Sequence, residues 1–116
     1  MFTGPTTTAD LSDTDFLVER PSDILELVGR GIGAAIISDH QLPADFFDLS
    51  TGVAGELVQK CLNYHLRLVI VAPDTEAWST RFREFAGEST RQGHFVFVDS
   101  LESALLRLES LARSAN

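Results

Sequence analysis

Two groups of residues in this chain have the types and spacing to do chemistry. The first is Asp48, Ser50, Thr51, Gly52 and Glu56, gathered in one short stretch. Hydroxyls and a carboxylate just before a helix can accept hydrogen bonds from the free N–H groups of its first turn. A hydroxyl there is also a place where added phosphate charge is electrostatically tolerated and changes the surface a partner meets. Plain capping is the simpler role. The second group is Asp39, Asp74 and Asp99, each following an apolar run, with His40 beside the first. If those runs are parallel strands, the carboxylates lie at the sheet edge where open α/β folds gather ligands. There they can form an acidic pocket for a metal or an aspartyl phosphoacceptor. A turn role for Asp74 after Pro73 and an N-cap role for Asp99 are the simpler alternatives.

The remaining polar residues point to no reaction. His40, His65 and His94 are scattered without ligand spacing, so no metal and no cofactor is expected. There is no nucleophile elbow, phosphate-binding Walker loop or CxxC pair, and enzymatic activity is unsupported. Arg81, Arg83, Arg91 and His94 can form a local basic patch, or simply a solvated helix face. Glu56 and Lys60 have the spacing of a surface ion pair. Cys61, the single cysteine, falls on an apolar helix face and reads as a small core residue in an intracellular protein.

The elements that must position these groups are organised around residues 42–72. Leu66 to Ala72 is short, nearly all apolar and rich in β-branched residues, as in a strand covered on both faces. Before it, Val53, Leu57 and Cys61, with Ala54, Val58 and Leu62, form one wide apolar helix face. Upstream, Pro21 to Asp23 open a helix that Gly29, Gly31 and Gly33 end; the GRGIG run follows a helix, the wrong order for a phosphate loop. Ala34–Ser38 is a strand, and Phe16–Val18 a short edge strand. After Asp74 a short helix carries Trp78, Phe82 and Phe85 as a core stripe, and Glu88–Gly93 is a polar turn. His94–Val98 is a strand, and Asp99 with Glu102 starts a last helix burying Leu101, Leu105, Leu108 and Ala112. Strand and helix alternate with connections too long for hairpins, which requires a parallel sheet.

Length and charge bound the rest. The 116 residues suffice for one core. Residues 1–15, rich in Thr and Asp, are expected as a mobile arm or a loosely held edge segment, and 16–113 as a single α/β domain. Nine basic against 17 acidic residues give a net charge of −8, which argues against nucleic acid and anionic membrane as partners. With no signal-like start and no long apolar run, a cytoplasmic location is expected.

Leu42-Pro43, Phe46-Phe47-Asp48-Leu49, Thr51-Gly52, Ala54-Gly55-Glu56, Gln59-Lys60, Asn63-Tyr64 and Arg67-Leu68 together resemble the bacterial family called domain of unknown function 4180. Phe85, Glu88-Ser89, Phe97-Val98-Asp99 and Leu101-Glu102 are similar to its tail, with Thr90 and Gln92 departing from its pattern. The layout further resembles the STAS domains of sulfate transporters and anti-sigma-factor antagonists. That resemblance implies a (βα) superhelix with a mainly parallel sheet and helices largely on one face. In the antagonists a Ser or Thr just before a Gly at a helix start is phosphorylated to switch partner binding, and Ser50-Thr51-Gly52 looks like that site. Leu49 stands where those antagonists place an acidic residue. The expectation is a non-enzymatic regulatory or protein-interaction module that meets a protein partner through Asp45–Glu56. The alternative is a small ligand-binding protein or enzyme using Asp39, His40, Asp74 and Asp99.

Overall fold

Each apolar run becomes a strand because burial on both faces demands it, and each amphipathic stretch becomes the helix that covers it. The computed structural model describes residues 7–114. Among them are strands β1 (Thr7–Asp10), β2 (Ile32–Ser38), β3 (Arg67–Val71) and β4 (Phe95–Val98), and helices α1 (Leu25–Gly29), α2 (Val53–Asn63), α3 (Thr80–Gln92) and α4 (Leu101–Ser114). The sheet is parallel throughout, in the order β1-β2-β3-β4. Strands added in sequence order by crossovers of one hand must all be bridged on one face. Accordingly α1, α2 and α3 share a core there with Ala35, Ile37, Leu68, Ile70 and Phe95. Only α4, which bridges no strands, lies on the other face, with Ala104 and Leu108 against Ala34, Ile36 and Val69.

The first core is dominated by rings. Phe46, fully buried, lies 5.5 Å from Phe95, 5.6 Å from Phe82 and 5.1 Å from Phe47, centroid to centroid. Trp78 meets Phe82 edge-on at 4.9 Å and Phe97 at 5.5 Å. Phe85 joins through Phe82 at 5.5 Å, so Trp78, Phe82 and Phe85 pack in the core as expected, but Trp78 does so from the turn ahead of α3 and not from the helix. Aromatic pairs of this geometry add about 0.5–1.5 kcal/mol each beyond the area they bury.

Several elements depart from expectation. The edge strand is Thr7–Asp10, within the stretch expected as a mobile arm or a loosely held edge segment, while Phe16–Val18, expected as the edge strand, is irregular. An edge strand takes its hydrogen bonds from its one neighbour and needs little apolar character; residues 1–6 of that arm lie outside the described residues. Phe16–Val18 is held instead by Gln41: its buried amide Nε2 donates to the Leu11 and Phe16 carbonyls at 2.7 and 2.9 Å, and Val18 N–H donates to its carbonyl at 2.8 Å. β2 begins at Ile32, with a register shift at Gly33 that places Ile32 in the same core as Ala35. The first helix opens as a 3-10 turn, Pro21–Ile24, in which Asp23 Oδ2 accepts from the Glu19 and Arg20 N–H groups. Gly31, at φ 78°, follows the C-cap Arg30 and ends α1 in the left-handed conformation, not as a phosphate loop.

Glu88–Gln92 is not a turn but the last part of α3, capped at its start by Ser79. That continuation seals an edge of the sheet. Leu68 and Ala72 donate to the His94 and Val98 carbonyls, so Phe95 and Phe97 turn their backbone groups outward. Ser89 Oγ donates to the Phe95 carbonyl at 2.6 Å, and Phe97 N–H donates to Thr90 Oγ1 at 3.1 Å. On α4 the expected stripe is rotated. Ala104 and Leu108 are buried, while Leu101, Leu105 and Leu106 are 43%, 47% and 63% exposed; the Ala112 side chain lies outside the described residues. The small Ala104 lets the helix axis approach the sheet, and the leucines flank the contact.

Phe46→Ala is expected to lower the unfolding free energy by about 3–5 kcal/mol. Leu106→Ala, on the exposed side of α4, should change it by no more than about 0.5 kcal/mol. Urea denaturation followed by Trp78 fluorescence measures both, and equal effects would remove the aromatic cluster from its central role.

Candidate functional site

Between β2 and α2 the chain makes successive 3-10 turns, Asp39–Gln41, Ala44–Phe47 and Leu49–Thr51. Polar residues and Pro43 give each turn its start, and Phe46 pins the run to the core from below. Gly52 follows at φ 80° as the N-cap of α2, a conformation side-chain-bearing residues rarely adopt. Of the expected capping residues, Thr51 accepts from the first N–H of α2, that of Val53, while Asp48 acts one turn earlier. Asp48 caps Leu49–Thr51: its Oδ1 accepts from Ser50 N–H at 3.0 Å and from the Ser50 hydroxyl at 2.6 Å. The Ser50 hydroxyl, then the Ser50 N–H, hold the Asp48 carboxyl below its ordinary range.

Thr51 joins the pieces. Its hydroxyl lies 2.8 Å from both the Asp45 and the Asp48 carbonyls, to which it donates, and accepts from Val53 N–H at 3.2 Å. Glu56 N–H donates to the Gly52 carbonyl at 3.0 Å as α2 begins. Asp48, Ser50, Thr51, Gly52 and Glu56 are all solvent-exposed, so the fold brings this group together on one surface. No ion pair joins Glu56 to Lys60 among the described residues.

The strand-end group does not converge in the same way. Asp39 accepts from the Ser38 hydroxyl at 3.3 Å and lies 3.8 Å from His40 Nε2. Asp74 accepts from Glu76 N–H at 3.2 Å within its own turn. Asp99 lies 3.5 Å from the Ser103 hydroxyl, while the cap of α4 is Ser100, whose Oγ accepts from Ser103 N–H at 3.1 Å. Each of these carboxylates thus engages its own local turn. Among the described residues no three His, Cys, Asp or Glu side chains stand close enough to share a metal ion.

Two residues at this edge escaped the sequence reasoning. Asp10 ends β1 as a further strand-end carboxylate and accepts from the Ser12 N–H and hydroxyl at 3.0 and 2.6 Å. Gln41, beside His40, accepts from Ser38 N–H at 2.6 Å through Oε1 while its amide nitrogen holds the Leu11–Phe16 loop. An Asp after an apolar run was a usable signal for the first. Nothing local marks the second, because its partners lie far back in the chain.

Two of the arginines engage neighbours locally. Arg83 donates to the Thr75 and Glu76 carbonyls, and Arg91 pairs with Glu88 at 2.6 Å. Burial, then the nearby Arg67 charge, hold the His94 imidazole below its ordinary range, against a smaller opposing effect of the Gln92 backbone. Its buried Nδ1 has no hydrogen-bond partner in good geometry. Burial pushes the Cys61 thiol up to about 12, which leaves it an unreactive core group.

A family model described as domain of unknown function (DUF4180) matches residues 3–108, nearly the whole chain. The protein belongs to that family. Neither a curated protein nor a solved structure matches it. No helix among the described residues is long and apolar enough to cross a membrane.

The lowered His94 value carries a pH prediction. The folded state favours the neutral ring, so this contribution to stability is complete above the unfolded value of about 6.5 and is lost as pH falls through the folded value. Asp23, Asp48 and Glu88, whose values are also lowered, lose theirs only in the carboxylate range. Urea midpoints at about pH 7 and about pH 5 should therefore differ less for His94→Gln than for wild type; an unchanged difference would assign the slope to other groups.

Proposed function

We propose that this protein is a non-enzymatic regulatory or protein-interaction module of the cytoplasm, with the loop and helix start from Asp45 to Glu56 as its working surface. One observation carries the reading: Thr51 is a solvent-exposed residue, and its hydroxyl ties the Ala44–Phe47 and Leu49–Thr51 turns to the start of α2. A charge added at that oxygen removes the hydrogen that bridges the Asp45 and Asp48 carbonyls. It also places an anion at a helix N-terminus, where the dipole accepts it. Surface shape and charge then change together, at the place a partner touches.

Ser50 suits this role less well. Its hydroxyl lies 2.6 Å from the Asp48 carboxylate, which would repel a phosphate. The resemblance of Ser50-Thr51-Gly52 to the switch of the anti-sigma-factor antagonists supports the same surface by analogy. With a net charge of −8, the protein favours a partner with a basic contact face.

The test compares wild type, Thr51→Ser and Thr51→Glu as baits in native extract, with bound proteins quantified by mass spectrometry. Thr51→Ser keeps the hydroxyl and should recover the same partner as wild type; Thr51→Glu should recover at least about tenfold less. Equal recovery by all three would sink the switch.

A further inference from the structure

We propose that the open edge of β1, with the apolar groove it shares with α4, is a docking site for an extended, basic segment of a partner protein, which adds to the sheet as a fifth strand. This surface lies across the sheet from α2 and does not depend on the role proposed for Asp45–Glu56.

The two edges of the sheet differ. At β4 the outward Phe95 carbonyl and Phe97 N–H are occupied by Ser89 and Thr90 of α3, which packs along this edge. At β1, Leu11 N–H donates to the Ile36 carbonyl, so by the alternation of a parallel ladder Leu11 and Ala9 turn toward β2 while Thr8 and Asp10 turn away. Among the described residues no hydrogen bond reaches the outward backbone groups of Thr8 and Asp10. Such an edge is a template for another strand.

The groove beside this edge selects the occupant. Thr8, Leu105, Leu106 and Leu108 line it, together with the carboxylate-bearing Glu102 and Glu109. With Ala104 and Leu108 facing the sheet, the helical repeat puts Leu101 and Leu105 on one flank of α4 and Glu102 and Glu109 just above them. The shared lining with Thr8 identifies this as the flank toward β1. A strand added outside β1 continues the sheet beneath it. Alternate side chains then meet the half-exposed leucines, and a long basic side chain reaches the exposed Glu102. Charge decides against a second copy as occupant: edge-to-edge pairing would bring together the acidic rims of two chains that each carry −8.

The probe is a short synthetic peptide in which two valines flank a threonine and lysines occupy both ends. Titrated into the full-length, nitrogen-15-labelled protein, it should shift the amide signals of Thr8, Asp10 and the Leu101–Leu106 turn of α4. Thr8→Pro removes an outward N–H and a groove-lining side chain, at an edge that tolerates proline, and Leu105→Ser removes an exposed apolar side chain without adding charge. Each should weaken binding about tenfold, measured by fluorescence anisotropy. The same peptide with glutamates for lysines should not bind. A wild-type titration with the probe N-methylated on its backbone gives the edge test independently of how Thr8→Pro folds, and should also show no binding. Unshifted Thr8 and Asp10 signals, or undiminished affinity of the N-methylated probe, would overturn the proposal. So would a concentration-dependent doubling of mass by light scattering without peptide, which assigns the edge to a second copy.

Discussion

The ring contact of Phe46 is the constraint on which the rest of the molecule rests. Phe46 belongs to a surface 3-10 turn, yet its side chain is fully buried between Phe82 of α3 and Phe95 of β4. A run of short turns has little cooperative hydrogen bonding of its own. What gives this one a definite shape is that its middle is fastened to the last helix–strand pair of the covered face. Phe47 extends the contact to Trp78 at 6.1 Å, so the segment ahead of α3 is held by the same cluster. The exposed group at Asp48–Glu56 is thus presented from a fixed base, and its polar contacts need only set local detail.

The parts of the fold legible in the sequence were those where burial leaves a continuous record. β2, β3 and β4 are apolar on both faces, and their runs show it. β1 left no such record, because an edge strand covered mainly on one side can be Thr-Thr-Ala-Asp. The second half of α3 was hidden by its polarity: Glu88 and Arg91 face solvent, and the two hydroxyls between them act on a strand not yet reached in the chain. On α4 the leucines suggested the stripe, but the residue in closest contact with the sheet is Ala104, chosen for smallness. At the candidate site, hydroxyl capping was foreseeable from residue type. The displacement of the cap to Gly52, the reach of Thr51 to Asp45 and the reach of Gln41 to Leu11 depend on tertiary geometry.

The charged groups are segregated along the strands. Asp10, Asp39, Asp74 and Asp99 follow the carboxyl ends of β1 to β4, while Arg67, His65 and His94 gather where β3 and β4 begin. At the first end, helix N-termini soften the repulsion among carboxylates, and short Asx-type turns around Asp10 and Asp74 take up individual oxygens. At the other end, burial, then the like charge of Arg67, lowers the His94 value.

The hydroxyls of Ser89 and Thr90 give the sheet a direction of growth. An ordinary sheet with two bare rims is a monomer unit for endless polymerisation, since every added chain exposes a fresh rim like the one it covered. Here α3 occupies outward groups on one rim, so a union of two copies through the other rim would yield a finite object bounded on both sides by α3. A concentrated pool of this protein can therefore keep one adhesive rim without becoming a fibre.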